Sequence, residues 1–284
     1  MTKNQNNLSY HGLYILGLDL TELVFVGLGL NDEKGITLRG LEEIKTADVV
    51  FMETYTNRMA DFNIEHLEKL GSKKIQMLTR TDLEEKNGRI ILQAANRGKV
   101  VFLVPGDPFI ATTHITLRID AEKQGIPTRV VHGISIISAI VSLSGLHNYK
   151  FGKTVTIPFS DNYSETPYNV ISQNQKRGLH TLCLLDLRQT ENRYLSIKDA
   201  LEQLLIVEEK KRQNTITPCT PVVGIAKAGS NSPVVRAGFI RDLLGFDFGE
   251  PPFSLIIPGE LHFMEVDALC VFAGAPLEFR GFAR

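Results

Sequence analysis

The chain has 284 residues, of which 43% are hydrophobic and 22% charged, a composition typical of a globular protein with a sizeable core. Its 31 Lys and Arg nearly balance its 32 Asp and Glu, which gives a formal net charge of −1. Attraction of the whole molecule to nucleic acid or to anionic lipid is therefore excluded, although a local basic patch is not.

The spacing of the cysteines and histidines limits which disulfide and metal sites the chain can form. The three cysteines, Cys183, Cys219 and Cys270, are far apart and form no CxxC pair. This argues against a disulfide scaffold and a zinc site, and it favours the reducing cytoplasm. The seven histidines are scattered without an HExxH motif, so we expect no metal site.

Residues 1–22 differ from the rest, and we expect them to form a disordered N-terminal extension. Residues 1–12 are polar and rich in Asn. The apolar run Leu13–Leu18 ends at Asp19, well short of the roughly 20 residues that a membrane span needs. No small-residue cleavage site follows, so a dispensable extension, or translation from an upstream start codon, is favoured over a signal peptide.

From Leu23 the hydrophobic pattern alternates between strands and amphipathic helices. The predicted strands are Leu23–Val26, Asp48–Met52, Lys74–Leu78, Val100–Val104 and Thr128–Val131. The predicted helices are Thr37–Ala47, Asn63–Leu70, Arg89–Asn96, one that continues to Gln124, and Ile134–Leu143. This alternation predicts an α/β fold with a largely parallel sheet covered on both faces.

The second half repeats the alternation less regularly. Its predicted strands are Thr154–Ile157, His180–Leu185, Pro221–Ala226 and Phe253–Ile257, and its predicted helices are Tyr168–Lys176 and Ser196–Lys211. Turn residues at both ends of Gly145–Gly152 indicate a linker. We predict an N-terminal α/β domain at 23–133, a connecting helix and linker at 134–152, and a C-terminal α/β domain at 153–284.

One carboxylate is placed where ligands bind in α/β proteins. Asp107 lies in the turn Pro105–Pro108, directly after the apolar strand Val100–Val104. Open α/β sheets bind their ligands at the carboxyl ends of such strands. The alternative is a Pro-Gly turn with a solvated carboxylate. We expect Thr112 or Thr113 to cap the helix that follows.

Five rigid turns each follow an apolar strand: Gly27–Leu30, Pro105–Ile110, Gly133–Ile136, Leu185–Asp186 and Ala226–Ser230. They offer backbone groups around a crevice and few side chains suited to acid–base work, which favours binding of a preformed cofactor. The first turn lacks the third glycine of a dinucleotide-binding loop, because position 32 is Asp, and this disfavours a nucleotide-binding oxidoreductase.

These turns overlap stretches that resemble the diphthine synthases, S-adenosylmethionine-dependent methyltransferases of the tetrapyrrole methylase superfamily. The matching stretches are Val26–Leu30, Ile36–Leu41, Gly106–His114, Val131–His132, Ser135–Ile136, Tyr149–Gly152, Arg177–Leu182, Leu185–Asp186, Ala226–Ser230, Arg236–Gly238, Phe248–Pro252 and Ile257–Gly259. Ala111–His114 and Arg177–Leu182 are more specific to the diphthine synthases than the Gly-Asp-Pro turn, which the wider superfamily shares.

The resemblance implies two α/β domains of the tetrapyrrole methylase type with S-adenosylmethionine in the cleft between them, and a cytoplasmic homodimer. The implied substrate is translation elongation factor 2, methylated on the amino group of an aminocarboxypropyl chain carried by a histidine. No direct nucleic acid and no membrane partner is implied. The implied cofactor contacts are Leu30, Asp107, Ile110, Ser135, Ile136, Leu185, Ala226 and Phe253.

No side chain is predicted as a general base, so the catalytic residues stay unassigned. Asp186 and His114 are candidates for positioning the substrate. The structural alternative for Asp186 is a strand-end carboxylate that accepts nearby backbone N–H groups. The alternative for His114 is a helix-end residue that makes a structural hydrogen bond. Phe253 is a departure, because relatives commonly have His there, and a polar contact by that side chain is lost.

The sequence leaves two further alternatives. One is a tetrapyrrole methylase on the same fold, although those relatives typically begin with a Gly-Pro-Gly-Asp loop where this chain has Gly27–Asp32. The other is a non-catalytic module that binds the elongation factor. The short connection from Leu187 to Tyr194 favours an archaeal-type layout and trimethylation.

Overall fold

The computed structural model describes residues 21–283, which divide into two compact units. The first comprises residues 21–28, 33–54 and 63–133, and the second comprises residues 29–32, 55–62 and 134–283. The helix and linker predicted at 134–152 group with the second unit. Most of the extension predicted at 1–22 lies outside the described residues, and its last residue, Glu22, opens the first strand.

The first unit is built on a five-stranded sheet in the order β3-β2-β4-β1-β5. Its strands are β1 (Glu22–Gly27), β2 (Val49–Glu53), β3 (Ile75–Leu78), β4 (Lys99–Val104) and β5 (Thr128–Val131). Every pairing in this sheet is parallel, which confirms the prediction. The central strands β1 and β4 are almost wholly buried, as their continuous apolar runs predict.

Four α-helices connect these strands: α1 (Leu38–Thr46), α2 (Ile64–Gly71), α3 (Arg89–Ala95) and α4 (Ile115–Lys123). The prediction that Thr112 or Thr113 caps α4 is wrong. The helix begins after His114, whose side chain makes no capping bond. The Thr112 hydroxyl instead donates to the carbonyl oxygen of Pro108 at 2.6 Å, and this hydrogen bond closes the preceding turn.

The carboxyl ends of β4, β1 and β5 meet at three glycines. A Cβ added to Gly27 would lie 2.5 Å from the carbonyl oxygen of Gly106 and 2.5 Å from the backbone nitrogen of Gly133. A Cβ on Gly133 would collide with the same oxygen. Because backbone cannot rotate away as a flexible side chain can, both positions require glycine. We call this set of three residues the glycine junction.

The second unit has a five-stranded sheet in the order β11-β10-β12-β7-β6, and a separate two-stranded hairpin of β8 and β9. The strands are β6 (Val155–Ile157), β7 (Thr181–Leu185), β8 (Leu187–Arg188), β9 (Arg193–Tyr194), β10 (Pro221–Ala226), β11 (Val234–Phe239) and β12 (Phe253–Ile257). In the five-stranded sheet β6 and β7 are parallel, whereas the other pairs are antiparallel.

In the described residues this unit has five α-helices: α5 (Ile136–Ser144), α6 (Thr166–Gln175), α7 (Ile197–Lys211), α8 (Ile240–Leu243) and α9 (Phe263–Ala273). Alternate residues of the sheet point to opposite faces. In β10, Val222 and Ala226 join one hydrophobic cluster with α6 and α7, whereas Val223 and Ile225 join another with α5 and α9. Both faces of the sheet are therefore buried.

No helix within residues 21–283 has both the length and the apolar character needed to cross a membrane.

A buried carboxylate fastens α9 to the segment after α5. Glu265 is fully buried and accepts hydrogen bonds from Nε2 of His180 at 2.9 Å and Nζ of Lys150 at 2.6 Å. It also accepts the backbone N–H groups of His147 and His262, each at 2.8 Å. Burial alone would raise the pKa of this carboxyl, but these donors outweigh burial and hold the pKa well below its usual value.

Gly27→Ala tests the glycine junction. We expect it to lower the free energy of unfolding by about 1–3 kcal/mol, since the new methyl group overlaps backbone atoms. Gly245→Ala is the matched control, because a Cβ there meets no atom within 4 Å. Thermal unfolding followed by circular dichroism compares the two. Equal melting temperatures of the two variants would contradict the predicted overlap between a Cβ at position 27 and the neighbouring backbone.

Glu265→Gln tests the buried carboxylate. At pH 7 we expect a loss of about 2–4 kcal/mol in the free energy of unfolding, because the charge-assisted hydrogen bonds are lost. The stabilisation by the ionised group is full above the usual pKa of about 4.5 and is lost as the pH falls through the depressed folded-state pKa. The difference from wild type should therefore shrink in acid. Asp267→Asn, on the exposed side of α9, should change little at either pH in the same denaturation series.

Candidate cofactor-binding site

Asp107 lies in a turn whose backbone requires glycine. Gly106 precedes it with φ +72°, a conformation that favours glycine. The Asp107 side chain is only 10% exposed, so the carboxylate is not solvated. One oxygen, Oδ1, accepts the backbone N–H of Phe109 at 3.2 Å. The turn continues with the N–H of Ile110, which donates to the carbonyl oxygen of Asp107 at 3.3 Å.

The other carboxylate oxygen contacts a histidine that was not among the predicted site residues. Nδ1 of His132 lies 2.8 Å from Oδ2 of Asp107, and 78% of the His132 side chain is exposed. His132 directly precedes Gly133, and Asp107 directly follows Gly106. The signal was present in the sequence, because the carboxyl ends of parallel strands share one edge of the sheet.

Three of the predicted cofactor contacts lie together at one edge of the second sheet. Ala226 is the last residue of β10, and it pairs in antiparallel register with Phe253, the first residue of β12. Leu185 ends β7, which pairs with the other side of β12. All three pack in the same hydrophobic cluster.

Leu30 and Ile136 belong to the second cluster of that unit, on the opposite face of the sheet. The turn after β10 lies against Leu30, because a Cβ on Gly229 would come within 2.6 Å of the Leu30 Cβ. Ser135 is the N-cap of α5, although its hydroxyl makes no capping bond. The second unit thus holds six of the eight predicted contacts, and the first unit holds Asp107 and Ile110.

Asn31, next to Leu30, was missed by the sequence analysis. It is only 7% exposed, and its amide nitrogen donates to Oδ2 of Asp61 at 3.2 Å. Its amide oxygen is buried and has no hydrogen-bond partner within the described part of the chain. A buried acceptor without a donor is costly, so this oxygen is suited to a donor from a bound molecule.

Comparison with known proteins identifies the family. A profile of the tetrapyrrole (corrin/porphyrin) methylases matches residues 22–244. The chain is 47% identical over 257 residues to the diphthine synthase of Methanocella arvoryzae, covering 90% of this chain and 99% of that protein. It is 46% identical over 251 residues to the diphthine synthase of Methanocaldococcus jannaschii, covering 87% and 97%. The chain belongs to the tetrapyrrole methylase family, among the diphthine synthases.

Solved structures agree with this assignment. A crystal structure of diphthine synthase superposes with a TM-score of 0.83 at 41% identity, covering 92% of this chain and 99% of that chain. A putative diphthine synthase from Entamoeba histolytica gives a TM-score of 0.80 at 36% identity, covering 90% and 100%. The predicted α/β fold of the tetrapyrrole methylase type is therefore confirmed.

Family membership decides among the alternatives. The chain is a methyltransferase, as the resemblance implied, and the oxidoreductase alternative is wrong. Membership in a methyltransferase family also disfavours the non-catalytic module. The relatives at 46–47% identity share the name diphthine synthase, which favours that activity over methylation of a tetrapyrrole.

The contacts of His114 and Asp186 support their structural alternatives. His114 is buried, and its Nε2 lies 3.3 Å from Oε1 of the buried Glu53. Asp186 accepts the backbone N–H of Leu187 at 2.9 Å and that of Phe159 at 3.4 Å. Neither contact indicates a role in positioning substrate. In the described residues, no group of three or more His, Cys, Asp or Glu side chains is arranged to hold a metal ion.

Proposed function

We propose that the chain uses S-adenosylmethionine to methylate elongation factor 2 in diphthamide biosynthesis. The acceptor is the amino group of the aminocarboxypropyl chain on the modified histidine. The observation that carries the proposal is the match to diphthine synthases, at 47% identity over 90% of the chain. Bound S-adenosylmethionine supplies an electrophilic methyl group on a sulfonium, so the protein's part is chiefly to bind and align the reactants.

The residues fit this cofactor. S-adenosylmethionine carries an adenine, ribose hydroxyls and an amino group, and therefore combines apolar surface with hydrogen-bond donors. Leu30, Ile136 and Leu185 offer apolar surface, while the Asp107 carboxylate and the orphaned Asn31 oxygen offer acceptors. The backbones of Ser135, Ile110 and Ala226 complete the proposed set, and Asn31 is an addition to the contacts predicted from the sequence.

Phe253 contributes to the site through its backbone. Its side chain packs against the hydrophobic cluster that also contains Ala226 and Leu185. A His at this position would offer polar ring atoms, so replacement by Phe removes a side-chain contact but leaves the main chain available. The proposed role of Phe253 is therefore an apolar and main-chain contact.

We further propose trimethylation, a homodimer and a cytoplasmic location. Trimethylation is supported by the short β8–β9 hairpin, which connects Leu187 to Tyr194 without an insertion. The dimer and the location rest on the resemblance and on the cysteine usage of the chain.

Asp107→Ala is expected to weaken binding of S-adenosylmethionine by roughly 10- to 100-fold, the effect of losing a hydrogen bond to a charged group. Isothermal titration calorimetry measures the dissociation constant, and circular dichroism checks the fold. Asp120→Ala on α4 is the control and should bind as wild type does. Unchanged affinity of the Asp107 variant would remove this residue from the site.

The substrate is tested with methyl-labelled S-adenosylmethionine. The purified protein should label elongation factor 2 that carries the aminocarboxypropyl-histidine, and mass spectrometry of the product should show three added methyl groups. The unmodified factor, which lacks the acceptor amine, is the control. Equal labelling of both forms would overturn the proposed acceptor, and labelling of a porphyrinoid instead would favour the tetrapyrrole methylase alternative.

A further inference from the structure

We propose that His132, oriented by Asp107, takes the proton from the acceptor ammonium so that its nitrogen can attack the methyl group. This inference rests on the proposed function and deepens it, because it assigns a proton acceptor to a reaction for which the sequence suggested none.

The hydrogen-bond geometry fixes the tautomer of the imidazole. A carboxylate can only accept hydrogen bonds, so the 2.8 Å contact requires that Nδ1 of His132 donates to Oδ2 of Asp107. In the neutral ring the lone pair is then on Nε2. Because 78% of the His132 side chain is exposed while the carboxylate is buried, the basic nitrogen is on the accessible part of the pair.

The glycine junction holds both partners in place. Gly106 and Gly133 pack against each other and against Gly27, with no room for a Cβ at positions 27 and 133. Asp107 and His132 each adjoin one of these glycines, and Phe109 fixes the second carboxylate oxygen. The pair is therefore attached to a tightly packed part of the backbone, as a preorganised proton acceptor should be.

The chemistry of the acceptor calls for such a group. An aliphatic amine is largely protonated at neutral pH, and an ammonium nitrogen has no lone pair with which to form a bond to carbon. In the proposed step one N–H bond of the ammonium breaks and its electron pair stays on that nitrogen. The proton bonds to Nε2 of His132, and the imidazolium is stabilised by the Asp107 carboxylate. The exposed ring then passes the proton to water, and the same step serves each methyl transfer.

A second pair in the same unit provides a matched control. His66 on α2 is 65% exposed, and its Nδ1 lies 3.3 Å from Oε1 of the buried Glu33. The two pairs are alike in burial and in the ring nitrogen used. They differ in that Asp107 is a proposed cofactor contact, and we assign no catalytic role to His66.

The first test measures the tautomer without turnover. Nitrogen-15 NMR of histidine-labelled protein at pH 8 should show His132 with its proton on Nδ1. Asp107→Ala should shift the proton towards Nε2, the site preferred by a free ring. A wild-type ring that already carries its proton on Nε2 would overturn the proposed orientation.

The second test measures kinetics with the modified elongation factor. We expect His132→Ala to lower kcat by about 10²- to 10⁴-fold, with a dissociation constant for S-adenosylmethionine within about twofold of wild type. Free imidazole should restore part of the activity. His132→Gln, which keeps the polar volume, should be equally slow, and His66→Ala should retain the wild-type kcat.

A His132→Ala kcat within about twofold of wild type would overturn the inference, as would a loss that imidazole leaves unchanged. If the wild-type protein transfers no methyl group to the modified factor, it is the proposed function that fails. The two failures are therefore distinguishable.

Discussion

The close approach of three backbones at the glycine junction is the constraint on which the first unit depends. Strands β4, β1 and β5 are parallel neighbours, so their carboxyl ends reach the same edge of the sheet. Side chains at Gly27 and Gly133 would hold these ends apart. Because Gly27 and Gly133 have no side chains, the turns that carry Asp107 and His132 come within hydrogen-bond distance. The packing of the sheet and the contact between Asp107 and His132 thus have one cause.

The second unit brings its residues together differently. Its sheet is largely antiparallel, so the end of one strand lies beside the start of the next, as Ala226 and Phe253 show. Both faces of the sheet are covered by helices, which fixes the register because a shift by one residue would exchange the two clusters. The proposed apolar contacts are therefore held by the core itself.

The sequence predicted most elements of the fold, with ends within a few residues, because their apolar periodicity is strong. It missed β11, an edge strand interrupted by Arg236 and Gly238, and α9, which is apolar on nearly all sides and so lacks a helical period. The strand-end turns of the candidate site were visible as Gly and Pro patterns. The contact between Asp107 and His132 could have been inferred from the shared edge of the parallel sheet. The contact between Glu265 and His180 could not, since the two residues lie 85 positions apart and no strand-end pattern relates them.

The division of the chain has a consequence for its modularity. Residues 29–32 and 55–62 belong to the second unit although they are surrounded in sequence by the first. Leu30 is buried in a core cluster of the second unit, and Asn31 is bound to Asp61. A fragment beginning at residue 134 would therefore lack part of its own core. A single cut in the chain therefore cannot separate either unit with all of its residues.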